Sequence, residues 1–369
     1  MRKLSTVLPF ALLFFCGLAQ AQESDRSPPP PLDPAKVRVV MEKAVDDFIR
    51  PGYRDFLTSA KALEASMAAL CAKPSSQTFD ASNAAFGDAV KAWSNIEILR
   101  IGPVLEQNRF ERILYYPDRK GLGLKQVQKY LSDKDKAVTS AESLKGKSVA
   151  AQGFGALEFV LSGSGSQTLT QENNSFRCLY GAAIAGNIAG VAKELSDAWE
   201  TPEGARAYWT NPGPDNPVFR DEREAITALL GVLVHASETT RDQRIETFYK
   251  GPDRPVFPRT AIYWRSGLTW QSISTNLAAV QNLLHISGMA ELLPSDQRSI
   301  IGSMDFVANS MIRVAGSLDS NIEAVLKNDT QRGKVNYLLV NGRDLISRLN
   351  DQYGGAIGLS SGFSFSDGD

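Results

Sequence analysis

The sequence holds only two histidines and three cysteines in 369 residues, and that scarcity narrows the chemistry at once. There is no HExxH, no paired Cys–His cluster and no EF-hand loop, which excludes the usual protein-built zinc and calcium sites. A phosphate-binding loop of the Walker type is missing, and Ser162-Gly163-Ser164-Gly165-Ser166 is a flexible loop rather than a nucleophile elbow. A peptidase needs a nucleophile with its base or a metal-bound water, and neither is present in recognisable form. Charge of one sign is lacking too: 40 Lys and Arg stand against 41 Asp and Glu, a net charge of -1. That balance carries no polycationic footprint for nucleic acid and no basic helix suited to an anionic membrane, so neither is an expected partner. Period-2 apolar runs bounded by hairpin turns are absent, which argues against a sheet.

What is present reads as an exported helical protein. Arg2-Lys3, an apolar run from Val7 to Leu18 and Ala19-Gln20-Ala21 describe a cleavable signal over residues 1–21, giving a periplasmic mature chain of net charge about -3. Cys16 follows Phe14-Phe15, where a lipobox wants small residues, so it leaves with the leader. Nothing later is long and apolar enough to span a bilayer. Cys71 and Cys178 remain, and an even pair in an oxidising compartment is expected to be bridged.

Residues 22–34, with Pro28 to Pro31 and Pro34, form a stiff spacer. Helical periodicity then runs through Val37, Val40, Val45 and Phe48, is interrupted at Pro51-Gly52, and resumes through Tyr53, Phe56, Leu63 and Met67, which predicts two antiparallel helices. A third helix spans about 80–101, and the small-residue run of 177–199 reads as a fourth core helix. Between them, 104–147 is a long connection of the kind that is often functional. Four prolines within 201–217 mark a linker, after which helices recur near 221–249, 266–293, 294–326 and 331–353. Ile96-Glu97 with Gly102-Pro103 returns as Ile245-Glu246 with Gly251-Pro252 at identical spacing. The expectation is an all-α chain of two fused antiparallel bundles related by duplication, 35–200 and 218–353, with a tail from 354 to 369.

The chain is organised around Lys147 to Gly163. There Gly153-Phe154-Gly155 opens an apolar helix, and Glu158 falls between Phe154 and Leu161 on the stripe that the helix should bury. A buried carboxylate must find a cation, a metal or several donors, or else take a proton. Both a structural ion pair and a functional site satisfy that rule.

The same stretch resembles the signature of the imelysin family, periplasmic helical proteins also classed as imelysin peptidases, whose motif is Gly-x-His-x-x-Glu. Gly153 and Glu158 match its glycine and glutamate; Gly155 stands where the histidine should be. Trp93 with Glu97, Gly102-Pro103, Tyr116-Pro117-Asp118, Arg265-Ser266-Gly267, and Gly362-Phe363 with Asp367-Gly368-Asp369 extend the likeness over nearly all of the mature chain. The resemblance implies two fused helical bundles, a site in the groove between them, and a link to bacterial iron uptake.

The candidate ligand-binding residues are Gly153, Glu158, Glu97, Arg109, Arg265 and Ser266. Together with Arg100 and Arg112 they form a carboxylate and arginine set that could recognise a small anionic ligand or metal chelate in the groove. Glu158 is the candidate metal ligand, and iron or another divalent cation the candidate cofactor. A buried salt-bridge network is the competing reading. Peptidase activity is the runner-up function, and a non-catalytic scaffold for a cell-envelope protein partner the third. His235, with Glu238 one turn on, and His285 read as satisfied helix histidines.

Overall fold

The computed structural model describes residues 31–359, so the expected signal peptide and most of both the spacer and the tail lie outside the described residues. Within them every regular element is helical. The first surprise is at Pro51-Gly52. Helix α1 (Pro34–Lys43), capped by Asp33, runs through a π-helical segment (Ala44–Ile49) directly into α2 (Arg50–Ala72), so one long helix replaces the two antiparallel helices predicted there. Widening the turn ahead of Pro51 absorbs the missing N–H and the ring clash that would otherwise break the helix. Gly52 is needed for a different reason: a Cβ there would lie 2.8 Å from Ile96 Cδ1, so the glycine lets the next helix approach.

That next helix is α3 (Ser76–Ile96), started by a Ser75–Thr78 capping box. After α3 come the short helices α4 (Arg109–Ile113), α5 (Leu122–Asp133) and α6 (Ala141–Lys145), then α7 (Phe154–Ser162) and α8 (Phe176–Glu200). Helix α2 packs on both α3 and α8. Gly181 of α8 makes the approach possible, since a Cβ there would meet Met67 Cε at 2.7 Å and Val160 Cγ1 at 2.9 Å. A disulfide joins Cys71 at the end of α2 to Cys178 at the start of α8, with Cα atoms 5.5 Å apart and 107 residues between them in sequence. A closed loop of that length stabilises by about 4–5 kcal/mol in the chain-entropy account.

The stretch 201–217 is more than a linker. It carries α9 (Ala205–Thr210), whose Trp209 is buried between Trp199 and Phe219, 5.4 Å from each ring. The second half contains α10 (Glu222–Glu238) with a π-helical extension (Thr239–Ile245), α11 (Thr269–Ile286), α12 (Ser299–Gly316), α13 (Ile322–Lys327) and α14 (Asp329–Ser347), which ends in a third π-helical segment (Arg348–Gly354). The two echoed sequence patterns occupy like places: α3 and the extension of α10 both end at the Ile-Glu pair, and Gly102 and Gly251 both take positive φ.

Both halves share one buried cluster reaching from Val37 to Leu359. Helix α1 packs on α10, and α3 packs on α11 through small polar side chains. There Ser94 Oγ and Ser272 Oγ are 2.9 Å apart, and Asn276 donates to the Ser94 carbonyl at 2.6 Å. No helix among the described residues is long and apolar enough to cross a membrane.

Candidate functional site

Helix α7 is fixed at both ends. At its start Gly153 is pressed against the end of α4, where an added Cβ would lie 2.2 Å from the Ile113 carbonyl oxygen, so only glycine fits. At its finish Arg177 of α8 donates to the carbonyls of Phe159, Val160 and Ser164, satisfying acceptors that a helix C-terminus leaves open. The helix between is almost wholly buried, Glu158 included at 4% exposure, while Gly155 faces outward.

Glu158 meets backbone rather than a guanidinium. The N–H groups of Arg265 and Ser266 each donate to Glu158 Oε1 at 3.0 Å, and Ser266 Oγ donates to the same atom at 2.9 Å. Burial pushes the Glu158 carboxyl above its ordinary value, opposed by the Ser266 hydrogen bonds and the Arg265 charge. Oε2 takes no part in these three bonds. Glu158 borders a cavity of about 640 Å³ shared by Gly155, Phe159, Tyr116, Tyr263 and Arg265, so α7 of the first half and the 261–265 loop of the second both form its wall. At Gly155 an added Cβ would meet nothing within 4 Å.

The cavity wall is rich in cations. The Arg265 guanidinium stacks over Trp264 at 4.4 Å and lies 5.3 Å from the Phe159 ring centre. Among the described residues Arg119, Lys250 and Arg265 border the cavity with no carboxylate in salt-bridge contact. The acids there are engaged: Asp118 accepts from the N–H groups of Leu122, Gly123 and Leu124, and Asp242 and Glu246 both pair with Arg241. The arrangement suits an anion, with one carboxylate oxygen left over for a hard cation.

The other expected site residues lie elsewhere. Glu97 is buried with Arg244, Oε2 accepting at 2.8 Å, while Oε1 accepts from Asn276 at 2.9 Å. Arg109 bonds Glu194, Glu106 and the Pro103 carbonyl instead of Glu158, and Arg112 bonds Asn187 and Glu194. The proposed set therefore splits into three separate clusters. Tyr263, unremarked in the sequence, lies between two of them: it takes φ +53°, and its hydroxyl has no hydrogen-bond partner among the described residues. Burial and the Glu97 charge push that hydroxyl well above its ordinary value. Tyr116 was legible as part of a motif, but its role was not: its hydroxyl meets Thr247 Oγ1 and the Thr260 carbonyl, both at 3.0 Å, and Arg244 lies over its ring at 4.9 Å. His235 pairs with Glu238 at 2.9 Å and His285 with Asp305 at 2.7 Å.

The imelysin family model (Peptidase M75) matches residues 49–349. The chain belongs to the imelysin family. Among solved structures it is similar to an imelysin-like protein from Psychrobacter arcticum, with a TM-score of 0.74 and 16% identity over 90% of this chain and 100% of that one. It is also similar to a protein described as an iron-regulated protein A precursor from Parabacteroides distasonis, with a TM-score of 0.73 and 13% identity over 89% and 96% of the two chains. At these identities the likeness speaks for the shared fold. No curated protein matches the sequence.

A resident metal does not fit the residues at this imelysin site. Glu158 offers one oxygen, Gly155 offers no side-chain donor, and among the described residues no group of three or more His, Cys, Asp or Glu could hold an ion.

Proposed function

We propose that this imelysin-family protein is an exported, periplasmic binding protein linked to iron uptake, and that it takes a small anionic ligand or an anionic metal chelate in the cavity beside Glu158. The observation that carries this reading is the pairing of cavity wall and carboxylate. Glu158 Oε1 is consumed in fastening the Arg265-Ser266 backbone, Arg119, Lys250 and Arg265 border the space without bridging partners, and Gly155 leaves the space open. Guanidinium and ammonium groups recognise carboxylate-rich ligands. Iron or another cation would arrive with most of its ligands already attached, and Glu158 Oε2 would supply one hard oxygen.

Thermal melts with ferric citrate test the proposal. A ligand that binds only the folded state raises the melting temperature with concentration. The wild-type protein should be stabilised by ferric citrate, and Arg265→Met should lose most of that response while keeping its fold. No stabilisation at millimolar ferric citrate would defeat the reading and favour a non-catalytic scaffold.

A further inference from the structure

A second and larger cavity, about 990 Å³, lies on the other side of the Tyr115-Tyr116-Pro117 segment. Its wall is largely apolar, with Ile98, Phe110, Leu114 and Phe219 inside, and Leu105 and Val218 at half exposure. One cation borders it in an unusual state. The Arg100 guanidinium rests on the Phe110 ring at 4.4 Å, and among the described residues no carboxylate is in salt-bridge contact with it. Burial, and then the Arg244 charge, push Arg100 down to about 10, and the Glu97 and Glu111 charges only partly offset this. Arg100 is half-buried at the cavity wall with no salt-bridge partner among the described residues, so an anion arriving in the cavity would find a guanidinium free to pair with it.

Most acids around the cavity are engaged elsewhere: Asp221 accepts from the Glu224 N–H at the start of α10, Glu224 is held by Arg220, Glu238 by His235, and Asp242 by Arg241. Glu111 also borders the cavity and its charge acts on Arg100, but the two are not in salt-bridge contact.

We propose that this cavity binds an amphipathic carboxylate, a molecule with an extended apolar body lying along the Phe110–Phe219 wall and a single anionic head held by Arg100. The site is separate from the one at Glu158 and does not depend on it. The apolar body supplies most of the affinity by leaving water, and the charge-assisted hydrogen bonds to Arg100 set which end enters.

Fluorescence titration with cis-parinaric acid and with its methyl ester reads both contributions. The wild-type protein should bind the acid at least about tenfold more tightly than the ester, as expected for one charge-assisted contact. Arg100→Gln should remove that preference while the ester binds as before. Glu111→Gln, which takes away an unbridged negative charge near Arg100, should tighten acid binding. Ala228 borders the cavity on α10, and Ala228→Trp should fill it and abolish binding of both probes with unchanged helicity. Equal binding of acid and ester by the wild-type protein, no binding of either, or full binding by Ala228→Trp would each overturn the proposal, and all three readings stand even if Arg100→Gln fails to fold.

Discussion

Gly155 and Glu158 lie one turn apart on α7 and border the same cavity, one with nothing within 4 Å of an added Cβ and the other with a carboxylate oxygen outside the three hydrogen bonds that fix Oε1. A histidine at 155 would therefore enter open space with a hard oxygen beside it. Gly155→His should fold normally and bind Ni²⁺ at least about tenfold more tightly than the wild type in isothermal titration, because imidazole nitrogen suits that ion. Adding Glu158→Gln should cancel the gain. A histidine variant that binds no better than the wild type would show that position 155 does not address ligand space.

The neighbouring glycine has the opposite character. At Gly153 an added Cβ would overlap the Ile113 carbonyl, so Gly153→Ala should cost about 1–3 kcal/mol or more in urea unfolding, whereas Gly155→Ala should stay within about 1 kcal/mol of the wild type. Equal effects of the two changes would mean that α7 does not start where it is placed.

Glu97 and Glu158 separate a structural carboxylate from a candidate ligand-binding one. Glu97→Gln leaves Arg244 buried and uncompensated, with an expected loss of about 3–5 kcal/mol. Glu158→Gln keeps an acceptor for Arg265 and Ser266 and should cost less than about 1 kcal/mol. Chemical denaturation of both variants decides this, and a larger loss at 158 than at 97 would reverse the assignment.

Much of this was readable from residue pattern, and the failures have identifiable causes. The helical stripes, the Cys71–Cys178 pair and the burial of Glu158 follow from periodicity and composition, which are local. Pro51-Gly52 misled because a π-helical turn accommodates proline inside a helix, and nothing in the apolar spacing announces that turn. The arginine partners were not legible either. Arg109 finds Glu194, 85 residues away, Arg244 finds Glu97, 147 residues away, and such pairings are set by helix packing rather than by spacing. Tyr263 carried no signal at all, since a lone tyrosine gives no hint of positive φ or of an unpartnered hydroxyl.

Asp46 provides the pH dependence. It sits in the π-helical segment between α1 and α2 and accepts from Arg206 at 2.9 and 2.7 Å and from Arg50 at 2.8 Å, tying α9 to the long helix. The Arg206 hydrogen bonds hold its carboxyl below the ordinary value of 3.8, with Arg50 adding to the effect against the opposing cost of burial. A lowered folded-state value gives stability that is present above the unfolded value and lost as pH falls through the folded one. Asp46→Asn should therefore lower the melting temperature at pH 7, by an amount equivalent to about 1 kcal/mol. The difference should shrink as pH falls below 3.8. A difference independent of pH would mean that the ion pairs contribute nothing.

The central claim, an anionic chelate held beside Glu158, is tested most directly by crystals of the wild-type protein soaked in ferric citrate and measured at the iron absorption edge. The account predicts one strong anomalous peak in the cavity of about 640 Å³, within coordination distance of Glu158 Oε2, with the citrate carboxylates against Arg265, Arg119 or Lys250. An empty cavity in fully soaked crystals, or iron bound only at surface carboxylates away from α7, would contradict it.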